Sequence, residues 1–201
     1  KIDVQSLNVD FYTFSGHKLY GPTGIGVLWG SFEILEKLQP ATGGGGMIQE
    51  IGEHEMTFSP PPYKFEAGTP PIAQAVSLAA AIEWVNGLDR AQTEIRLRNL
   101  TQKLFIEINS LPGVKVLGPN PLQHNTLPII SFYMENIHPH DICQVLSMKN
   151  VAVRGGHHCA QPLMNIYQIT GTTRASLAPY NNEKDIDALV IGLEEAISLL
   201  K

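Results

Sequence analysis

Phe11 to Trp29 is the stretch that most limits how this chain can fold. Two apolar, β-prone segments, Phe11–Phe14 and Ile25–Trp29, bracket a loop built of Ser15, Gly16, His17, Gly21, Pro22 and Gly24. Glycine and proline at that density end one strand and begin another, so the run predicts strand, loop, strand. The loop presents one amine, Lys18, with His17 beside it. A single lysine in a turn is ordinarily a solvated surface charge. An amine captures aldehydes when desolvation or nearby cations favour its neutral form.

The whole chain can bury a sizeable core, with 201 residues of which 43% are hydrophobic. A net charge of −5 with only 14 Lys plus Arg leaves no basic stripe for a phosphate backbone, which argues against a nucleic-acid partner. The longest apolar run, Ser77 to Val85, is interrupted by Glu83 and falls short of the roughly 20 residues of a membrane span, so no membrane association is expected. Two cysteines, Cys143 and Cys159, are too few for a disulfide framework and are expected as free thiols in a reducing compartment such as the cytoplasm or a plastid. The first residues, Lys1-Ile-Asp-Val-Gln-Ser-Leu, read as the middle of a domain.

After the Lys18 loop, Ile34, Leu35 and Leu38 predict a short helix, and Gly43–Gly46 break regular structure. Ile48 to Phe58 reads as a hairpin or extended arm closed by an extended Pro60-Pro61-Pro62. Ala73–Asn86 is expected as a largely buried helix ended by Gly87, and Leu88–Ser110 as an amphipathic one with Ile95, Leu97, Leu100, Leu104, Phe105 and Ile108 inward. Beyond Pro112-Gly113 the pattern predicts strands at 114–117 and 127–133, a helix at 139–149 and a strand at 151–154. A Gly- and His-rich loop, a strand at 174–177 and a helix at 182–200 capped by Asn181 or Asn182 follow.

Three further constellations carry chemistry. In Val153-Arg-Gly-Gly-His-His-Cys-Ala-Gln-Pro-Leu-Met164, glycines and proline force an irregular loop around Cys159, and two imidazoles immediately precede the thiol. Zinc is disfavoured there, because consecutive ligands strain a tetrahedral site and no CxxC or HxxxH partner exists. Cys143, among Ile142, Val145 and Leu146, reads as a small buried hydrophobe. In Thr172-Thr-Arg-Ala-Ser-Leu-Ala-Pro-Tyr180, Arg174 supplies a planar fork suited to a carboxylate, although strand arginines are usually salt-bridge formers. Phe65-Glu-Ala-Gly-Thr-Pro70 places Thr69 in a tight turn. The run Gly43–Gly46 matches neither GxxxxGK[ST] nor GxGxxG and reads as a flexible hinge.

Ser-Gly-His-Lys-Leu-Tyr-Gly-Pro-x-Gly-Ile-Gly and Arg-x-Gly-His-His-Cys-Ala-x-Pro-Leu together resemble the Suf-type, or group II, cysteine desulfurases of the class V aminotransferase superfamily. The resemblance covers essentially the whole chain but only the C-terminal half of the family's length. It implies an α/β fold, that of a fold type I transferase dependent on pyridoxal 5'-phosphate. Residues 1–86 would be the C-terminal part of the cofactor-binding large domain, and 87–201 a small α+β C-terminal domain. Lys18 would carry the cofactor, Ser15, His17 and Thr69 would bind its phosphate, and Thr69 would do so across a homodimer interface. Arg174 would grip the substrate carboxylate and Cys159 would take sulfur from L-cysteine as a persulfide. Alanine would be the co-product, and a sulfur-acceptor protein serving iron–sulfur cluster assembly would collect the sulfur. His157 or His158 would tune the thiolate.

Gly155 stands where the family often has Thr, which is expected to loosen the loop. The family's Asp-x-x-Gln run and stacking His, upstream of the lysine strand, are not in this chain. It is therefore expected to be a piece of a longer protein that alone binds cofactor weakly or not at all. Selenocysteine lyase chemistry on the same scaffold, and a catalytically silent fragment acting in dimer or partner binding, are the alternatives.

Overall fold

The computed structural model describes residues 2–200; Lys1 and Lys201, the outer bounds of the two expected domains, lie outside them. The described chain divides after Leu88 into two compact units.

In the first unit, β1 (Phe11–Ser15) and β2 (Gly26–Gly30) form an antiparallel pair in register from Phe11 opposite Gly30 to Ser15 opposite Gly26. A short helix, α1 (Phe32–Lys37), follows. A second hairpin joins β3 (Ile48–Ile51) to β4 (Met56–Phe58). The expected extended Pro60–Pro62 is instead a turn. Pro62 adopts helical angles (φ −83°, ψ −13°), and backbone hydrogen bonds from Lys64 to Pro60 and Phe65 to Pro62 lead into a 3-10 turn at Tyr63–Phe65. The buried Lys64 reaches the Glu36 carbonyl at 3.0 Å.

Helix α2 (Ile72–Asn86) ends at Gly87, but the expectation of a largely buried helix fails. Only Leu78 is buried, while Ile72 and Val76 are 63% and 67% exposed. Its apolar residues surround the helix rather than forming one stripe, and the described residues of this unit cover only the Leu78 side.

The second unit is a four-stranded antiparallel sheet of order β5-β6-β8-β7, comprising β5 (Val114–Leu117), β6 (Ile129–Met134), β7 (Arg154–Gly156) and β8 (Thr172–Ser176). Helices α3 (Arg90–Ser110), α4 (Pro139–Met148) and α6 (Glu183–Leu200) build its core. Strand β6 shows why: Ile130, Phe132 and Met134 alternate inward and are buried against Leu104 and Ile108 of α3, Ile142 and Leu146 of α4 and Leu193 of α6. Each fully buried side chain of this kind contributes about 1.5–3 kcal/mol. Asp89 caps α3 by accepting from the Gln92 amide, and Asn182, one of the two expected caps, accepts from Lys184 at the start of α6. Ile95, expected inward, is 60% exposed, because the buried stripe of α3 runs through Leu100, Thr101, Leu104 and Ile108.

Two readings of the loop region need correction. The strand expected at 151–154 begins where that range ends, at Arg154, since Val151 and Val153 pack on the core outside the ladder. The Gly- and His-rich loop also contains a helix, α5 (Gln161–Tyr167), with Pro162 in its first turn and Gln168 closing it in a left-handed conformation. Among the described residues no helix is long and apolar enough to cross a membrane.

Candidate active site

The Lys18 loop is a 3-10 turn, Gly16–Lys18, at the end of β1. Its closure depends on Gly16 and Gly21. The Gly16 amide donates to Ile25 O at 2.9 Å, and the Gly21 amide to Gly16 O at 3.0 Å. A Cβ on Gly16 would lie 2.9 Å from Ile25 Cγ2, and one on Gly21 2.9 Å from both Gly16 O and Leu78 Cδ1. With the backbone packed this closely, His17 and Lys18 project outward and are exposed, while Ser15 is half-buried at the last rung of the β1–β2 ladder. One turn thus brings together an amine, an imidazole and a hydroxyl.

Thr69 lies on a separate loop and is exposed. The glycine run read as a flexible hinge has a defined task here. Gly45 O accepts from the Gly68 amide at 2.8 Å, and a Cβ on Gly44 would sit 2.9 Å from Ala67 Cβ. Gly68 itself has φ +79°, open to glycine and strained for other residues.

In the second unit, the β7–β8 register sets Arg154 opposite Arg174 and Gly156 opposite Thr172. The chain then turns outward, with His158 at φ +53° and Cys159 at φ +61°. Two successive non-glycine residues in the left-handed region cost of order 1–3 kcal/mol each, so the loop persists only because other contacts hold it. Cys159 is exposed in an open groove of about 430 Å3 lined by Arg154, His157, His158, Gln161 and Pro162. The Arg154 Nη2 atom lies 3.9 Å from its sulfur, a cation–thiol proximity that the sequence reading missed. The i, i+5 spacing across two glycines was the available signal.

His158 turns the other way. Its Nε2 lies 3.0 Å from Thr172 O and 2.9 Å from Thr172 Oγ1, and burial pushes its pKa below the ordinary histidine value. Its Nδ1 is buried without a hydrogen-bond partner. Arg174, central on β8, lines a cavity of about 260 Å3 with Ser131, His158, Leu163, Met164 and Tyr167, and its Nε is also buried without a partner. A planar guanidinium lining a mostly apolar hollow is suited to an incoming carboxylate. A larger hollow, about 460 Å3 along Glu135–His138 and Gln168–Gly171, contains none of the candidate residues.

Cys143 is half-buried on α4, and desolvation raises its thiol pKa. It explains Gly155. A Cβ there would lie 2.9 Å from Cys143 Sγ, 2.9 Å from His140 Cδ2 and 3.1 Å from Pro139 O. The absent side chain lets α4 close against β7, which is tight packing and the reverse of the expected loosening. Gly155→Thr is expected to destabilise this unit by about 1–3 kcal/mol through overpacking, read as a lower denaturant midpoint at unchanged m-value. Among the described residues no three His, Cys, Asp or Glu side chains group to hold a metal ion.

The residues around Lys18 suit pyridoxal phosphate in their donor chemistry, with an amine for the aldehyde and hydroxyl and imidazole donors for the phosphate on a single turn.

A family model for class-V aminotransferases matches residues 1–189. A probable cysteine desulfurase of Streptomyces coelicolor is 48% identical over 193 residues, covering 96% of this chain and 46% of the relative. One from Vibrio cholerae is 42% identical over 199 residues, covering 99% and 48%. The crystal structure of the cysteine desulfurase CsdA from Escherichia coli matches with a TM-score of 0.91 at 42% identity, over 99% of this chain and 49% of that one. An apo cysteine desulfurase from Thermococcus onnurineus matches with a TM-score of 0.88 at 36% identity, over 97% and 48%. The chain spans about half the length of the curated relatives it matches.

Proposed function

This chain belongs to the aminotransferase class-V family, and on that premise we propose that it is the part of a cysteine desulfurase that carries the cofactor lysine, the substrate anchor and the sulfur-accepting thiol. The observation that carries the reading is the juxtaposition on β7 and β8. An exposed thiol, Cys159, sits on a loop hydrogen-bonded to the strand whose Arg174 lines a mostly apolar cavity. The identity to proteins described as probable cysteine desulfurases supports the same choice. Residues 1–86 belong in this reading to the cofactor-binding large domain and 87–201 to the small domain.

Pyridoxal phosphate, when bound, supplies an electron sink for the substrate Cα–H bond. Lys18 Nζ would hold its aldehyde carbon and, when free, would remove and return the proton at the substrate Cα. Ser15 and His17 would donate to the phosphate, and Thr69 would do so from the partner subunit of a homodimer. Arg174 binds the carboxylate of L-cysteine and sets the orientation of its side chain. The Cys159 thiolate attacks the substrate sulfur: the S–S bond forms, the Cβ–S bond breaks with its electron pair left on carbon, and protonation there gives alanine. The exposed persulfide on Cys159 is then open to a sulfur-acceptor protein in a reducing compartment.

The direct test is to load the full-length protein with pyridoxal phosphate, add L-cysteine, and measure alanine by chromatography and one extra sulfur atom on Cys159 by mass spectrometry. Absence of both products overturns the reading. Arg174→Lys keeps a cation but loses the planar fork. Charge-assisted hydrogen bonds of this kind are worth about 1.5–3 kcal/mol, so KM for L-cysteine is expected to rise roughly 10- to 100-fold, measured as initial rates of alanine release.

A further inference from the structure

Two adjacent residues point in opposite directions at the end of the β7–β8 ladder. The last backbone rung pairs Gly156 with Thr172, after which β7 turns away through Gly156 at φ +116°. The approach there is close, since a Cβ on Gly171 would lie 3.0 Å from Gly156 O. One step further the imidazole of His158 takes over the ladder's role, with Nε2 3.0 Å from Thr172 O. Cys159, the next residue, faces the open groove. His158 lines both this groove and the cavity of Arg174.

The tautomer follows from the partner. Thr172 O only accepts whereas Thr172 Oγ1 can accept or donate, so the tautomer that suits both contacts carries its proton on Nε2 and leaves Nδ1 the bare acceptor. Burial favours this neutral form. Protonation would add a second N–H with no acceptor and a charge facing Arg154 of β7, Arg174 of β8 and the neighbouring His157.

We infer that His158, by donating from Nε2 to Thr172, is the positioning residue that holds the Cys159 loop in register with the strand carrying Arg174. The inference rests on the desulfurase reading for its consequence and on the loop geometry for its substance. A left-handed pair such as His158–Cys159 needs an external tether, and this imidazole supplies a side-chain hydrogen bond from the loop to β8. The tether acts on thiol placement. Although His158 also lines the Arg174 cavity, its loss is expected to weigh on the sulfur-transfer step more than on the binding of the substrate carboxylate.

The test compares His158→Gln with His158→Asn in the full-length protein loaded with pyridoxal phosphate. The glutamine amide nitrogen reaches the place of Nε2, whereas the shorter asparagine presents its nitrogen near Nδ1. Asparagine is expected to lower kcat for alanine and persulfide formation about 10- to 100-fold, the range that follows from an ångström-scale displacement of a reacting group. KM for L-cysteine should stay within about threefold, and glutamine should recover most of kcat. Equal kcat in the two variants, or a change confined to KM, overturns the inference.

A second readout does not depend on desulfurase activity. The rate of Cys159 alkylation by iodoacetamide at neutral pH, read by peptide mass, should fall severalfold in His158→Asn. Displacing the thiol from Arg154 removes the cation that attracts charge developing on sulfur. It should stay near wild type in His158→Gln, and alkylation identical in both variants also overturns the inference. A wild-type protein that makes no alanine refutes the desulfurase reading while the alkylation comparison still decides the tether.

Discussion

Lys18→Ala in the full-length protein is expected to abolish measurable alanine formation from L-cysteine. The side chain is asked to do two things, to hold the aldehyde of pyridoxal phosphate and to move the Cα proton. Removing a positioned proton-transfer group alone typically costs 10²–10⁴-fold, so a loss of about 10³-fold or more is expected. Lys18→Arg should fare no better, because a guanidinium stays protonated at any working pH and serves neither as nucleophile nor as base. The check is alanine release together with the visible absorbance of the bound cofactor, which should lose the band that the lysine linkage produces. The tight packing of Gly16 and Gly21 beneath the turn predicts that Lys18→Ala leaves folding unaffected, since the exposed lysine makes none of the contacts that close the loop. Alanine formation at wild-type rate would remove Lys18 from the mechanism and with it the reading of the whole Phe11–Trp29 run.

What the sequence disclosed and what it hid divide along physical lines. The hairpin around Lys18 was readable because glycine and proline punctuate it, and α3 and α6 because their apolar residues repeat at helical spacing. The burial of α2 is not legible in its sequence, since its apolar residues lie on all sides and composition does not say which side meets a partner. Helix α5 was hidden for a related reason: seven residues between a glycine-rich loop and a left-handed cap are too short for a periodic signal.

Among the candidate site residues, Cys159 and Arg174 are each singled out by motif, but nothing in a linear pattern places Arg154 opposite Arg174. Register is a property of two strands and not of either one. The same limit explains the split between the two histidines. His157 and His158 are neighbours of one type, and only the left-handed turn shows that one faces solvent while the other returns to Thr172. Gly155 departs from its expected loosening role because the cost of a side chain there is set by Cys143 and His140 of α4, whose proximity the sequence conceals.

Cys159→Ala should eliminate the persulfide and lower alanine formation from L-cysteine by on the order of 10²-fold at least, as expected for loss of the group that forms the covalent bond. Substrate binding should persist, because Arg174 and Lys18 are untouched, and addition of L-cysteine should still perturb the cofactor absorbance. Selenocysteine separates the proposed sulfur reaction from its selenocysteine lyase alternative. A carbon–selenium bond breaks more readily than carbon–sulfur, so selenium can leave without attack by a thiolate. The variant should therefore retain far more of its wild-type rate on selenocysteine than on cysteine. Cys159→Ser isolates the cause, since it preserves size and polarity but offers a hydroxyl that is not ionised at neutral pH and is a poor nucleophile toward sulfur. It should behave as alanine does. If either variant releases alanine from L-cysteine at the wild-type rate, sulfur departs without Cys159, and the exposed thiol beside Arg154 has some task other than accepting it.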